Sequence, residues 1–173
     1  MIENLVKLFK VLFSKEKTMN IIKSPSPNKS KRDYILQILV IHGTAGLMPG
    51  CLEWLRNPQS KVSCHYLITQ AGTIHELVYD DECAWHCGES SWMGVSGLNQ
   101  LSIGIELEIK DMVKDLYSAA QIASLVELCG ELIKRWPIRH IVGHEQIAPG
   151  RKFDPGKNFP WAKIAAAFPD IRK

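Results

Sequence analysis

The strongest constraint on the fold is a nearly continuous run of apolar residues at positions 34–41. The run is rich in Ile, Leu and Val, and it lacks the regular polar alternation of a half-exposed strand. Such a segment predicts a strand that is buried on both faces. We therefore expect a sheet with structure packed against it, and we expect His42 at the carboxyl end of this strand.

The rest of the chain alternates strand patterns with helix patterns. Strands are predicted at residues 62–68, 73–78, 102–109 and 138–142, and helices at residues 52–55, 118–136 and 161–168. Ser118 and Gln121 have the spacing of a capping box at the start of the long helix. This order predicts an α+β (mixed α/β) fold, in which one central mixed β-sheet is flanked by α-helices in a single domain.

The N-terminal part has a different pattern. Residues 1–22 predict an amphipathic helix that packs on the domain or, alternatively, lies on a membrane surface. Residues 23–32 predict a polar Pro/Ser linker, so that the domain covers residues 33–173. Lys7 and Lys10 interrupt the apolar run that a secretory signal requires. We expect a cytoplasmic protein, with the periplasm or cell envelope as the alternative.

Composition excludes some classes of partner. The formal net charge is only +3, and the basic residues form no stripe with aromatic residues, which argues against nucleic-acid binding. No segment is long and apolar enough to span a membrane, and we expect a monomer. The five cysteines favour free thiols in a reducing compartment. Cys83 and Cys87 flank His86, but this spacing is only a weak metal-site pattern.

The loop predicted at residues 142–156 carries more reactive side chains than a turn needs. Pro and Gly would satisfy the turn geometry, whereas His144, Lys152 and Asp154 add chemistry to it. With His42, the loop offers two imidazoles and one carboxylate, which is a ligand set that a catalytic zinc ion accepts. Spacing leaves the alternative open that each histidine is a hydrogen-bonded structural residue and that Asp154 begins a turn.

The predicted strand at residues 102–109 places two carboxylates on one face. Ile103 and Ile105 point one way, whereas Gly104, Glu106 and Glu108 point the other way. From the pattern alone, Glu106 could be a solvated carboxylate on an exposed strand face, and Lys152 an ordinary surface lysine.

Five segments occur in a fixed order along the domain. They are Ile-His-Gly-Thr-Ala-Gly at 41–46, Ser-Cys-His-Tyr-Leu-Ile at 63–68, Ala-Trp-His-Cys-Gly at 84–88, Asn99 followed by Ser-Ile-Gly-Ile-Glu-Leu-Glu at 102–108, and Gly-His at 143–144 followed by Asp-Pro-Gly at 154–156. In this order they resemble the zinc-dependent N-acetylmuramoyl-L-alanine amidases, and within them the AmpD-type branch. The resemblance covers residues 24–161.

The resemblance implies a zinc ion held by His42, His144 and Asp154, with Glu106 and Lys152 as catalytic residues. It implies hydrolysis of the amide bond between the lactyl group of N-acetylmuramic acid and L-alanine of the stem peptide, in cell-wall turnover or recycling. Zinc would acidify a water molecule, Glu106 would transfer its proton, and Lys152 would stabilise the oxyanion. The expected partners are muramyl-peptide fragments or intact peptidoglycan. The alternative is a non-catalytic peptidoglycan-binding module of the same fold.

Two positions favour the AmpD-type branch over other relatives. Phage lysozyme-like amidases and catalytic peptidoglycan recognition proteins carry a tyrosine where this chain has Cys64, and a cysteine ligand where it has Asp154. No Cys–His activation pattern surrounds Cys64, which argues against a thiol nucleophile.

The same resemblance implies a substrate groove. It is implied to be lined by Trp85, His86, Trp92 and Asn99, while Arg151 could pair with a stem-peptide carboxylate. Trp85 and Trp92 could equally belong to the core. The sequence leaves open whether the muramic acid must be in the 1,6-anhydro form.

Overall fold

The structure, a computed structural model, describes residues 19–171. The strands are β1 (Ile21–Lys23), β2 (Lys29–Lys31), β3 (Ile38–Gly43), β4 (Tyr66–Ile68), β5 (Ile74–Glu76), β6 (Glu82–Ala84), β7 (Ser91–Trp92), β8 (Val95–Ser96), β9 (Ser102–Leu107) and β10 (His140–Gly143). The helices are α1 (Gly50–Arg56), α2 (Ala119–Arg135), α3 (His144–Ile147) and α4 (Trp161–Ala167). Short 3-10 turns cover Pro58–Ser60 and Leu98–Gln100.

A six-stranded mixed sheet in the order β1-β5-β4-β9-β3-β10 forms the centre of the domain. Strands β4, β9, β3 and β10 run parallel to one another, whereas β5 is antiparallel to β4. In the register of β3 with β9, His42 lies opposite Glu106, and Ile41 lies opposite Gly143 of β10. The carboxyl ends of these parallel strands therefore meet at one edge of the sheet.

Both faces of the sheet are covered, which confirms the predicted fold class. The main core lies between one face and helix α2; among its buried members are Leu39, Ile41, Ile103, Ile105, Leu107, Ile122, Leu125 and Leu128. The opposite face carries two smaller apolar clusters, one around Val40 and Val142 and one around Leu55 and Leu67. The predicted strand at residues 34–41 begins later than expected, because Tyr34 and Ile35 precede the sheet and are 63% and 67% exposed.

Helix α2 begins as predicted, but with half of a capping box. The Ser118 hydroxyl accepts a hydrogen bond from the backbone N–H of Gln121 at 3.0 Å. The Gln121 side chain does not return to the cap. Its amide donates instead to the carbonyl oxygens of Ile68 at 2.9 Å and Glu108 at 3.1 Å, which ties the start of the helix to the ends of β4 and β9.

The predicted linker at residues 23–32 is wrong. Strand β1 pairs with β5, β2 pairs with β6, and Asn28 is buried between them, where its side-chain amide donates to Asn57, Ser60 and Val62. The domain therefore includes residues before Asp33. The predicted helix at residues 1–22 extends too far, since residues 21 and 22 belong to β1, and its first 18 residues lie outside the described part of the chain.

Within residues 19–171, none of the helices combines the length and the apolar character that a membrane crossing demands.

Replacing Asp80 with alanine is expected to destabilise the fold. The buried Asp80 carboxylate accepts hydrogen bonds from the Tyr66 hydroxyl at 2.7 Å, the Arg135 guanidinium at 2.6 Å and the Trp136 indole at 2.9 Å. Its loss leaves the buried Tyr66 hydroxyl without a partner and removes the contacts of the partly buried Trp136 and the exposed Arg135, so we expect the free energy of unfolding to fall by about 3 kcal/mol. Urea unfolding measures this, and alanine at the exposed neighbour Asp81 is the matched control. Equal stability of the two variants would contradict the prediction.

Candidate metal centre and active-site cleft

The strand register and one short helix bring the predicted ligands together. His42 lies near the end of β3, and His144 is the first residue of α3, directly after β10 ends. We expected a loop throughout residues 142–156; instead residues 144–147 form one helical turn, in which the Gln146 side chain accepts a hydrogen bond from the Gly143 N–H at 2.7 Å. The chain then returns, and the Glu145 N–H donates to the Asp154 carbonyl at 2.9 Å.

Three potential ligand atoms converge at this edge of the sheet. The Nδ1 atoms of His42 and His144 are 2.9 Å apart, and Oδ2 of Asp154 lies 3.1 Å from the first and 3.0 Å from the second. All three residues are buried. Ligand atoms that share one ion, at bond lengths of about 2.0–2.2 Å, are roughly 3.3 Å apart in a tetrahedral site. The spacing of the triad fits a single metal ion.

The protonation states of His42 and Asp154 also suit a cation. Burial lowers the pKa of His42 to about 4. Burial works against ionisation of Asp154, but the neighbouring rings of His144 and His42 outweigh it and hold the pKa of Asp154 below its ordinary range. A neutral imidazole and an ionised carboxylate are the forms that bind metal.

The far side of each imidazole ring has its own partner. Nε2 of His144 lies 3.2 Å from the carbonyl oxygen of Cys87. A carbonyl can only accept a hydrogen bond, so the neutral ring carries its proton on Nε2 and leaves Nδ1 unprotonated. Nε2 of His42 lies 3.0 Å from Nδ1 of His86. Both partners come from one segment, residues 86–87.

The two residues predicted to act in catalysis, Glu106 and Lys152, line the same cleft as the triad. Glu106 Oε2 is shielded from solvent and has no hydrogen-bond partner within residues 19–171. Burial raises the pKa of Glu106 to about 8, the negative charge of Asp154 adds to the rise, and the Lys152 ammonium opposes it. Glu108, directly after β9, instead accepts hydrogen bonds from the backbone N–H groups of Met48 and Gln70 at 2.9 and 2.7 Å.

The cleft has a volume of about 560 Å³ and one polar side. The triad and Glu106 form that side. The other walls include apolar side chains, among them Trp54, Val62, Met112 and Phe153. Trp54 and Phe153 are 57% and 64% exposed, so both are open to a ligand. Sequence reasoning missed both, although the position of Phe153 between Lys152 and Asp154 was a usable signal.

Of the residues expected to contact substrate, His86 lines the cleft and Trp85 lies close to it. The Trp85 backbone N–H donates to the hydroxyl of Ser63, a cleft residue, at 2.9 Å, and its indole donates to Ser30 at 3.3 Å. The imidazole of His86 contacts Nε2 of His42, the ring nitrogen that does not face His144 and Asp154. His86 is therefore next to the candidate metal ligands.

The structure does not bring Trp92, Asn99 or Arg151 into the cleft. Trp92 packs in the apolar cluster around Val40 and lines a separate cavity. The side-chain oxygen of Asn99 accepts hydrogen bonds from the backbone N–H groups of His86 and Cys87 at 3.1 and 2.9 Å. Arg151 donates to the carbonyl oxygen of Cys87 at 2.7 Å. Asn99 and Arg151 thus hold the segment that backs the two histidines.

The cysteines take part in packing. All five lie within the described residues, and all are buried and free of disulfides. Cys64 is completely buried, and burial raises the pKa of its thiol well above the ordinary value. The Cys87 thiol lies 3.0 Å from the side-chain oxygen of Asn99. Within residues 19–171, a cluster of three metal-ligand side chains is found at His42, His144 and Asp154.

A buried triad of two histidines and one aspartate lies at the carboxyl edge of a mixed sheet, beside a glutamate whose Oε2 has no hydrogen-bond partner within residues 19–171. This arrangement defines a candidate metal site in an open cleft. The sequence profile of the N-acetylmuramoyl-L-alanine amidase family (Amidase_2) matches residues 31–157, and the chain belongs to this family.

Two curated relatives illustrate the similarity. The chain is 38% identical over 158 residues to N-acetylmuramoyl-L-alanine amidase AmiD of Escherichia coli, covering 80% of this chain and 56% of AmiD. It is 44% identical over 108 residues to 1,6-anhydro-N-acetylmuramyl-L-alanine amidase AmpD of Citrobacter freundii, covering 61% of this chain and 57% of AmpD. The chain thus spans little more than half the length of these relatives.

Solved structures agree with the fold. A selenomethionine derivative of AmpD superposes with a TM-score of 0.76 at 35% identity, covering 85% of this chain and 93% of that chain. AmiD from E. coli in complex with the substrate anhydro-N-acetylmuramic acid-L-Ala-D-gamma-Glu-L-Lys superposes with a TM-score of 0.73 at 34% identity, covering 92% and 62%.

Proposed function

We propose that this chain is a zinc-dependent N-acetylmuramoyl-L-alanine amidase. It hydrolyses the amide bond between the lactyl group of N-acetylmuramic acid and L-alanine of the stem peptide, in cell-wall turnover or recycling. The observation that carries the proposal is the convergence of His42, His144 and Asp154 on one point beside the unpaired carboxylate of Glu106.

The ligand set favours zinc among the common metal ions. Two imidazoles and one carboxylate leave the fourth position of a tetrahedral site open for water or substrate, which is the arrangement of catalytic zinc sites. An ion such as Mg²⁺ prefers a shell of oxygen ligands instead. When bound, zinc supplies Lewis acidity, which polarises a carbonyl group and acidifies water.

The surroundings of Glu106 support a role in proton transfer. Its oxygen Oε2 has no competing hydrogen bond among the described residues, and burial raises the pKa of the Glu106 carboxyl to about 8. A carboxylate with such a pKa accepts a proton from water and passes it to the departing alanine nitrogen, since a general base works best when its pKa is near the working pH.

The position of Lys152 in the cleft wall supports a role in stabilising negative charge. Its backbone N–H is held by the carbonyl oxygen of Ala148 at 3.0 Å, and it precedes Asp154 by two residues in the cleft wall. An ammonium group carried by this wall would lower the energy of the oxyanion that develops when the scissile carbonyl is attacked.

The cleft suits a muramyl-peptide fragment. Its polar side would take the lactyl amide, while Trp54 and Phe153 offer apolar surface to the sugar ring and the peptide. The AmiD complex contains an anhydromuramyl tripeptide, which supports a fragment of this type as the substrate here. Comparing the 1,6-anhydro form with the intact reducing sugar would show which form the chain prefers.

Metal removal provides the direct test. We expect the full chain to release tripeptide from a muramyl-tripeptide, to lose this activity after chelation, and to regain it with Zn²⁺ but not with Mg²⁺. Mass spectrometry detects the released peptide. Stoichiometric zinc without release would contradict hydrolysis and indicate a binding module of the same fold.

A further inference from the structure

His86 lies between a candidate metal ligand and a buried serine. Its Nδ1 atom is 3.0 Å from Nε2 of His42, and its Nε2 atom is 3.1 Å from the hydroxyl oxygen of Ser102. The ring lies over strand β9 at Gly104, where an added Cβ would come within 2.4 Å of the imidazole. The glycine therefore makes room for His86, which explains why a residue without a side chain stands between Ser102 and Glu106.

The hydroxyl of Ser102 is directed away from His86. It donates to the carbonyl oxygen of Leu98 at 2.6 Å, and the carbonyl of Ser102 accepts a hydrogen bond from Arg32 at 3.0 Å. A hydroxyl has one proton. Because that proton points to the carbonyl oxygen of Leu98, the Ser102 hydroxyl presents a lone pair to His86 and can only accept a hydrogen bond from it.

This direction determines where the protons of both rings lie. His86 must carry its proton on Nε2 to donate to Ser102, so its Nδ1 is an acceptor. His42 then donates from Nε2 to His86, and Nδ1 of His42 keeps a free lone pair on the side of the triad.

We propose that Ser102 and His86 are positioning residues that hold the proton of His42 on Nε2 and so keep Nδ1 ready for a metal ion. The proposal rests on the metal-dependent function given above. It assigns a role to His86 behind the metal site, apart from any contact with substrate.

The arrangement answers a competition within the triad. Oδ2 of Asp154 lies 3.1 Å from Nδ1 of His42 and would attract a proton to that nitrogen in the metal-free protein. In the reverse direction, Nδ1 of His86 would donate to Nε2 of His42. The proton of His42 would then lie on its own Nδ1, and that nitrogen would have no lone pair for a metal ion. A histidine can donate or accept, whereas the carbonyl partner of His144 can only accept. His86 therefore needs Ser102 to select the direction.

Replacing Ser102 with alanine tests the direction. We expect the proton of His42 to move from Nε2 to Nδ1 in the metal-free full chain, as read by long-range ¹H–¹⁵N correlation NMR. Zinc affinity, measured by competition with a chelator, should fall about 10–100-fold. The matched control is Ser24→Ala. Ser24 is also a buried serine next to a histidine, with its hydroxyl 2.9 Å from Nδ1 of His75, but neither residue belongs to the triad. That variant should leave both readouts unchanged.

A second pair of variants separates positioning from packing. Asparagine and leucine at position 86 have similar shapes, but only the asparagine oxygen can accept the proton of His42. We expect His86→Asn to bind zinc more tightly than His86→Leu. Thermal melting of the metal-free proteins shows whether both variants fold. Zinc binding by His86→Leu that is as tight as, or tighter than, zinc binding by His86→Asn would overturn the proposal. So would a wild-type His42 protonated on Nδ1, or unchanged affinity and protonation in Ser102→Ala. A wild-type chain that binds no zinc would refute the metal-dependent function, while the NMR measurement would still decide the direction.

Discussion

Replacing His144 with alanine is expected to abolish metal binding and hydrolysis together. The imidazole supplies one of three ligand atoms, and the remaining pair, His42 and Asp154, cannot hold a catalytic zinc ion at the usual count of three protein ligands. The variant should contain less than a tenth of the wild-type zinc after gel filtration. Losing a residue that only supports a ligand already lowers metal affinity about 10–100-fold, and losing the ligand itself should lower it at least as much. Metal analysis and tripeptide release measure the two effects on one sample.

The matched control is His140→Ala. His140 is the first residue of β10, the strand that leads to His144, but it lines a separate cavity with Trp92. This variant should keep both zinc and activity. A His144→Ala protein that retained stoichiometric zinc would remove His144 from the proposed ligand set.

Replacing Glu106 with glutamine should separate metal binding from turnover. Glutamine has nearly the same shape as glutamate but cannot accept a proton, and Glu106 is outside the cluster of candidate ligands. We expect normal zinc content and a loss of turnover of about 10²–10⁴-fold, which is the usual contribution of a general base. Single-turnover kinetics with a muramyl-tripeptide would measure the loss.

Glu131→Gln is the corresponding control. Glu131 lies on α2, against the opposite face of the sheet, where it pairs with Lys134. Its variant should have wild-type turnover. Equal turnover in Glu106→Gln and wild type would exclude Glu106 from proton transfer and leave the unpaired oxygen without an explanation.

The central sheet could be predicted because burial leaves a strong pattern in the sequence. The alternation along β9 correctly separated Ile103 and Ile105, which face the main core, from Glu106, which faces the cleft. Successive side chains of a strand point to opposite faces of the sheet, so the residues of the buried face also identify the residues of the other face. Strand β3 was predicted instead from its continuous apolar run, and the long helix α2 from its helical pattern and the Ser118–Gln121 spacing.

Strands β1 and β2 left no such pattern. All three residues of β2 are exposed, and the strand is held by backbone pairing with β6. Hydrogen bonds of this kind depend on a partner about 50 residues away rather than on side-chain periodicity. A polar segment with two prolines was therefore mistaken for a linker.

The roles of Asn99 and Arg151 show the same limit at the site. Both carry polar groups suited to a substrate, yet both bind the backbone of residues 86–87. Which partner a polar side chain takes depends on where the chain folds back, and the spacing of residues does not reveal it.

Apolar periodicity and ordered motifs were sufficient for the layered fold, the family and the identity of the candidate ligands, since each is encoded by residue type and local spacing. The meeting of His42 with His144, which are 102 residues apart, had to be inferred from resemblance. The contacts of His86 with His42 and Ser102 required the folded chain. They arise from the register of parallel strands and from the space above Gly104, and these exist only once distant segments pack together.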